Sequence, residues 1–395
     1  MPAQPDDAPV PAQGPNARHG PLAPGLRLTA SDRPGIAQPV PERDVPPLPW
    51  ARMALIVVLL VAALTAIWEW KMRSLGYEAG DLGYEPSAWA EQRRRLDTEP
   101  VQVAIVGDSR IYFDTDLARF QQLTGVRPVQ LAIEGTNARP LLEDIANRSK
   151  FNGLVIVGMA DQSYFRPGVG LGAESLKLGK FESPGRRVSY LISRELRRHL
   201  AMLDEDESLS SFVTRLDTGW RAGTEGPYED VWKLAVTHDD RQTWLWPQIE
   251  RNAYLRSHAI GRWMFIFKVL QPTPQIIAMT QAKTKAAVAK IRARGGDVVF
   301  VRPPSAPPLR ALENKALPRS KGWDPLLAAA QAKGVHFDDL PDAQGLTIPE
   351  ESHLNRACAT VFTDAYVRAL TKVTPRLTLL PGAPPVLHPA DCGGH

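Results

Sequence analysis

Val101-Gln-Val-Ala-Ile-Val-Gly-Asp-Ser-Arg110 decides how this chain is read. A short apolar run that stops at Gly107 reads as a strand buried on both faces of a parallel sheet. In open α/β sheets, ligands bind beyond the carboxyl ends of such strands. Asp108, Ser109 and Arg110 stand there. A serine on a strand-to-helix turn is held clear of the sheet, with backbone N–H groups near enough to face an oxyanion. The same residues also suit a plain helix start, capped by Asp108 or Ser109.

The pattern repeats outward from this stretch. Arg127–Ile133 reads as a second strand ending at Gly135, Leu154–Val157 as a third ending at Gly158, Asp297–Arg302 as a fourth and Val335–Phe337 as a short fifth. Helical spacing covers Phe113–Thr124, Ala138–Ser149, Thr280–Arg294, Trp323–Lys333 and Arg356–Val373. Strand alternating with helix predicts an α/β fold, a parallel sheet covered by helices on both faces. Residues 166–278 break this rhythm and read as a helical insertion, a lid or subdomain. It carries an arginine-rich helix-like segment, with Arg194, Arg197 and Arg198, and the tryptophans Trp220, Trp232, Trp244, Trp246 and Trp263. The arginines form either a solvated face or a seat for anionic lipid headgroups. The tryptophans either fill the insertion's own core or stack on sugar rings.

Thirteen of the 36 prolines fall in residues 1–50. Residues 1–49 lack apolar periodicity and read as a disordered tail. Met53–Trp68 then runs sixteen residues without a charge, between Trp50 and Arg52 on one side and Trp70, Lys71 and Arg73 on the other. This predicts one transmembrane helix over 50–70. The long polar tail ahead of it, and the absence of a small-residue cleavage motif after it, argue against a signal peptide. The preferred orientation keeps the tail inside and the large domain outside. Residues 71–99 read as a juxtamembrane linker, 100–375 as the folded domain and 376–395 as a loose tail.

Composition narrows the functions. With 44% hydrophobic and 23% charged residues the chain is neither disordered throughout nor fibrous. A net charge of +4 without a long basic block argues against nucleic-acid binding. Two cysteines make no disulfide framework or structural zinc site, and the eight histidines show no ligand spacing. No metal and no cofactor is expected. Cys358 reads as a small core residue of the last helix, and pairing with Cys392 is left open.

A second constellation, Glu350-Glu-Ser-His353-Leu-Asn355, lies just before the last helix. An acid three residues before a histidine can fix its tautomer, leaving the other ring nitrogen to take a serine proton. Acidic residues also favour an ordinary helix start. Glu350 has the spacing, with Glu351, Asp338 and Asp339 as alternatives.

Together these blocks resemble the SGNH (GDSL-like) hydrolase superfamily, in its membrane-anchored bacterial cell-envelope form. Gly107-Asp108-Ser109 matches the nucleophile block, Gly135 the glycine that lends a backbone N–H to the oxyanion hole, and Glu350-x-x-His353 the closing Asp-x-x-His with its acid changed. The likeness covers residues 100–160 and 295–373. It implies a three-layer, flavodoxin-like domain in which Ser109, His353 and Glu350 are catalytic, and Gly135, Asn137, Asp108, Arg110 and Asp161 surround oxyanion and substrate. One departure stands out. The family's Gly-x-Asn-Asp block is Gly158-Met-Ala160-Asp161 here, so its oxyanion-binding Asn is missing, with Asn137 or Gln162 as replacement donors. Arg110 either binds an anionic substrate or pairs with Asp108. The resemblance implies an esterase or O-acyltransferase acting on acyl, especially acetyl, esters of an envelope or secreted polysaccharide. The implied partners are the acylated glycan, the bilayer and polysaccharide machinery, with the domain in the periplasm beside a bacterial inner membrane. The alternative is a weak or inactive relative that binds glycan or an assembly partner.

Overall fold

The computed structural model describes residues 47–207 and 233–392, so most of the expected tail, together with Trp220 and Trp232, lies outside the described residues. The chain divides into two units, Met1–Ala63 and Leu64–His395. Trp50–Ser74 form one helix of 25 residues, about 37 Å long at 1.5 Å per residue. It is long and apolar enough to cross a membrane, and its most apolar stretch is unburied. It runs past the expected end at residue 70 because Glu69 and Arg73 pair across one turn, at 2.6 Å, and Met72 is buried.

In the second unit the strands are β1 (Val103–Val106), β2 (Val129–Gln130), β3 (Leu154–Gly158), β4 (Ala235–Thr237), β5 (Thr243–Leu245), β6 (Asp297–Arg302) and β7 (Lys333–His336). Five make one parallel sheet in the order β2-β1-β3-β6-β7. Period-two alternation sorts its residues onto two faces. Val103, Ile105, Ile156 and Val299 join one core with Phe362 and Tyr366 of the closing helix Arg356–Val373. Ala104, Val106, Val155 and Phe300 join the other with Leu142, Val288 and Leu326. Helices therefore cover both faces. The strand order turns back between β1 and β3, which is where doubly wound sheets open a crevice for ligands.

Four expectations need correction. First, the insertion is not wholly helical, because β4 and β5 pair as an antiparallel hairpin. Its Arg241 donates to the carbonyls of Gln130 and Ala132, covering the outer edge of the sheet. Second, β2 is shorter than read. Beyond Gln130 its course beside β1 persists only as the bonds from Leu131 and Ile133 to the Ile105 and Gly107 carbonyls. Third, the segment taken for a linker holds the helix Pro86–Thr98, capped by Glu85. Its Trp89 is buried against the sheet and donates to the Leu131 carbonyl at 2.9 Å. Fourth, the C-terminal segment is not loose. Leu377 is buried, Arg119 and Arg368 hold the carbonyls of Pro385 and Pro384, and Cys358 and Cys392 form a disulfide. Closing a loop of 34 residues in this way stabilises a fold by about 2–4 kcal/mol.

Candidate active site

Glycines set the turn that carries Ser109. A side chain at Gly107 or at Gly158 would collide with Ile111. Their absence lets the short helix Ser109–Phe113 sit directly on the ends of β1 and β3. Asp108 caps this helix by accepting from the Arg110 amide at 3.2 Å. Ser109 opens the helix and lines a cavity of about 380 Å³.

His353 Nε2 lies 2.8 Å from Ser109 Oγ. Its Nδ1 lies 3.0 Å from Glu350 Oε1. Both His353 and Glu350 are buried. Glu350 is aimed at the ring because Oε1 also accepts the backbone N–H groups of Ser352 and His353. Of the other acids considered, Asp338 and Asp339 are bound by Arg310 and Arg319. Glu351 adopts a left-handed backbone with φ 73°, and the imidazole's carboxylate partner is Glu350.

Gly135 lines the same cavity. Its φ of 57° is left-handed, which favours glycine, and a Cβ there would press only on the tip of the exposed Leu171 side chain. Arg166 and the Leu171 amide hold its carbonyl. Among the described residues neither the Ser109 nor the Gly135 amide N–H has a hydrogen-bond partner.

The remaining expected residues have other employment. Asn137 is fully buried, caps the helix Ala138–Arg148 and donates to the Arg166 carbonyl at 2.7 Å. Gln162 donates to the carbonyls of Phe267 and Leu270. Neither is free to replace the missing donor at Ala160. Arg110 neither faces a substrate nor forms an ion pair with Asp108. It is buried and pairs with Glu313 at 2.6 Å. Asp161 pairs with Arg302 at 3.1 Å. These contacts were invisible because both partners are distant in sequence, Arg302 lying 141 residues beyond Asp161 and Glu313 in the helix Pro307–Ala316.

Sequence reasoning missed what the insertion brings. Trp263, on the helix Ala253–Val269, donates its indole N–H to Glu350 Oε2 and sets its ring edge-on to His353, 5.5 Å between centroids. Phe113 packs on the same imidazole, 4.6 Å between centroids. Nothing local to Trp263 separates it from its neighbours, since only the fold places it beside His353. Glu134 also lines the cavity. Burial raises its carboxyl pKa, against the pull of nearby His353 and Arg241. Burial likewise raises Asp108, opposed chiefly by Arg110.

The indole N–H satisfies the carboxylate oxygen that the histidine does not use. Trp263→Phe keeps the ring but removes that donor. A hydrogen bond to a charged group is worth about 1.5–3 kcal/mol, so the serine's reactivity toward an ester is expected to fall roughly 10–100-fold. Stopped-flow acylation with an aryl ester measures it, and an unchanged rate would mean that Trp263 only packs.

Among the described residues no group of three or more His, Cys, Asp or Glu side chains is placed to hold a metal ion. No family model and no curated protein matches this chain.

Proposed function

We propose that the chain is a membrane-anchored serine esterase or O-acyltransferase of the SGNH type. One observation carries this reading, the continuous series Ser109 Oγ, His353 Nε2, His353 Nδ1 and Glu350 Oε1 at 2.8 and 3.0 Å. In this reading Ser109 Oγ attacks an acyl carbonyl while Nε2 takes its proton. Glu350 holds the Nδ1 proton and stabilises the imidazolium. The amides of Ser109 and Gly135 receive the oxyanion. The proton on Nε2 passes to the departing alkoxide, which leaves an acyl-serine. Water, or a second alcohol, gives its proton to Nε2 and attacks the acyl carbon; the acyl–Oγ bond then breaks, Nε2 returns the proton to Ser109 Oγ, and the carboxylic acid or the new ester departs.

The substrate class, acyl esters of an envelope or secreted polysaccharide, follows from the resemblance and from the tether beside such material. The helix Trp50–Ser74 supports a single-pass anchor. The Cys358–Cys392 disulfide supports a domain outside the cytoplasm, where thiols oxidise. One observation favours a second reading, a glycan-binding protein with little turnover. Ala160 stands where the family has an oxyanion donor, and Asn137 and Gln162 are committed elsewhere. One lost donor costs about 10²–10³ in rate.

Labelling the full-length protein in detergent with a fluorophosphonate tests the first reading. An adduct mapped to Ser109 by mass spectrometry, and absent in His353→Ala, supports it. Folded protein that stays unlabelled shifts the conclusion to binding.

A further inference from the structure

The helix Pro184–Arg197 is inside out. Its protein-facing side is polar. Tyr190 and Arg194 both reach Glu91, at 3.2 and 2.7 Å, and Arg197 donates to the Leu82 carbonyl. Its apolar side faces outward. Val188, Leu191, Ile192 and Leu196 are 55%, 38%, 58% and 51% exposed, and Phe181 just ahead of the helix is 73% exposed. On a 3.6-residue turn those four helix positions form one stripe. The single charge within the stripe, Glu195, is neutralised by Arg198 at 2.7 Å, and Arg187 borders the stripe. Surface helices normally carry the reverse arrangement, so this stripe calls for an apolar covering.

A second feature says what covers it. The chain leaving this helix is fastened to the charged end of the helix Trp50–Ser74. Glu69 accepts the amides of Ala201 and Met202 at 3.0 and 2.9 Å, and Arg73 donates to the His199 carbonyl. Met72 is buried with Ala201 and Trp246 in a small core. Trp68 and Trp70, 52% and 70% exposed, lie at the same level, where interfacial tryptophans sit on a membrane helix. The stripe therefore begins where the apolar helix leaves the hydrocarbon.

We propose that Pro184–Arg197 is an interfacial helix lying in the bilayer surface, with Val188, Leu191, Ile192 and Leu196 set into the headgroup–acyl boundary and Arg187 beside anionic headgroups. This proposal stands apart from the esterase reading, since it requires only that Trp50–Ser74 span the bilayer.

The test uses the full-length chain in nanodiscs holding one copy each, made of phosphatidylcholine with a minority of phosphatidylglycerol. Ile192→Cys is labelled with bimane; Cys358 and Cys392 are joined to each other and do not compete. The control is Lys333→Cys on β7, the opposite edge of the sheet from β2. Both positions are exposed, so neither change burdens the fold. The expected result is blue-shifted emission at position 192, quenched by doxyl-labelled lipid roughly threefold more than the control, as the usual immersion depth implies. Water-like emission at 192 overturns the proposal. Blue-shifted emission that lipid does not quench also overturns it, assigning the stripe to a protein partner. A blue shift that appears only in multi-copy preparations overturns it in favour of a second copy.

Discussion

His353→Ala is expected to lower turnover of a simple aryl ester by about 10⁴–10⁶-fold, with Glu350→Gln falling short of that at up to about 10⁴-fold. The gradation follows from the contacts. Without the imidazole nothing within reach takes the Ser109 proton, because the only side-chain partner of Ser109 Oγ among the described residues is His353 Nε2. Glutamine at 350 retains one oxygen. On Glu350, Oε1 accepts three donors and Oε2 accepts Trp263. A neutral amide does best by keeping its oxygen toward the three and turning its NH₂ toward the indole. The tautomer of His353 then survives, but the negative charge that stabilises its protonated form is lost, and two buried donors face each other. That clash costs about 1–3 kcal/mol of stability. Rate constants and urea midpoints, measured on the same preparations, separate the two effects. A Glu350→Gln enzyme as active as the parent would remove Glu350 from the relay.

The sheet was legible for a local reason. The three central strands β1, β3 and β6 are runs rich in β-branched residues closed by glycine or proline, and β6 matches its expected bounds at Asp297–Arg302. The closing helix Arg356–Val373 matches as well, because Asn355 caps it and its apolar residues recur at helical spacing. The three residues Ser109, Glu350 and His353 were legible as two short blocks, each at an element boundary. What failed was long-range. Asn137 reads as a free donor in the sequence because its bond to the Arg166 carbonyl exists only once the loop after β3 has folded back. The hairpin of β4 and β5 was hidden because each strand has three residues, too few to show a period. Residues 86–98 read as a linker because five of the thirteen are charged, although Trp89 and Leu96 turn inward. Trp263 could not be ranked above the other tryptophans without the contact that singles it out.

Beneath Ser109 lies a charge cluster whose disruption is expected to cost about 3–5 kcal/mol of folding stability. Glu313 is 1% exposed and bridges two buried guanidiniums, Arg110 and Arg302, each at 2.6 Å. Ser305 donates to the same carboxylate, and Arg302 also holds Asp161. Glu313→Ala leaves two cations buried with one acid between them. Burial alone would raise the Glu313 pKa, but Arg110 and Arg302 outweigh it and hold the carboxyl at about 2. An unfolded glutamate titrates near 4.3. Between these values the unfolded chain binds the extra proton, so the stabilisation is complete above about pH 4.5 and drains away as pH falls toward 2. The difference in urea midpoint between parent and Glu313→Ala should therefore be largest at pH 7 and smaller at pH 3. In the esterase reading proposed above, activity should fall too, because Arg110 directly follows Ser109 and its guanidinium also donates to Ser352, the neighbour of His353, at 3.2 Å. A midpoint difference that stays constant across this range would mean that Glu313 acts through packing, and that the cations above it are neutralised by other means.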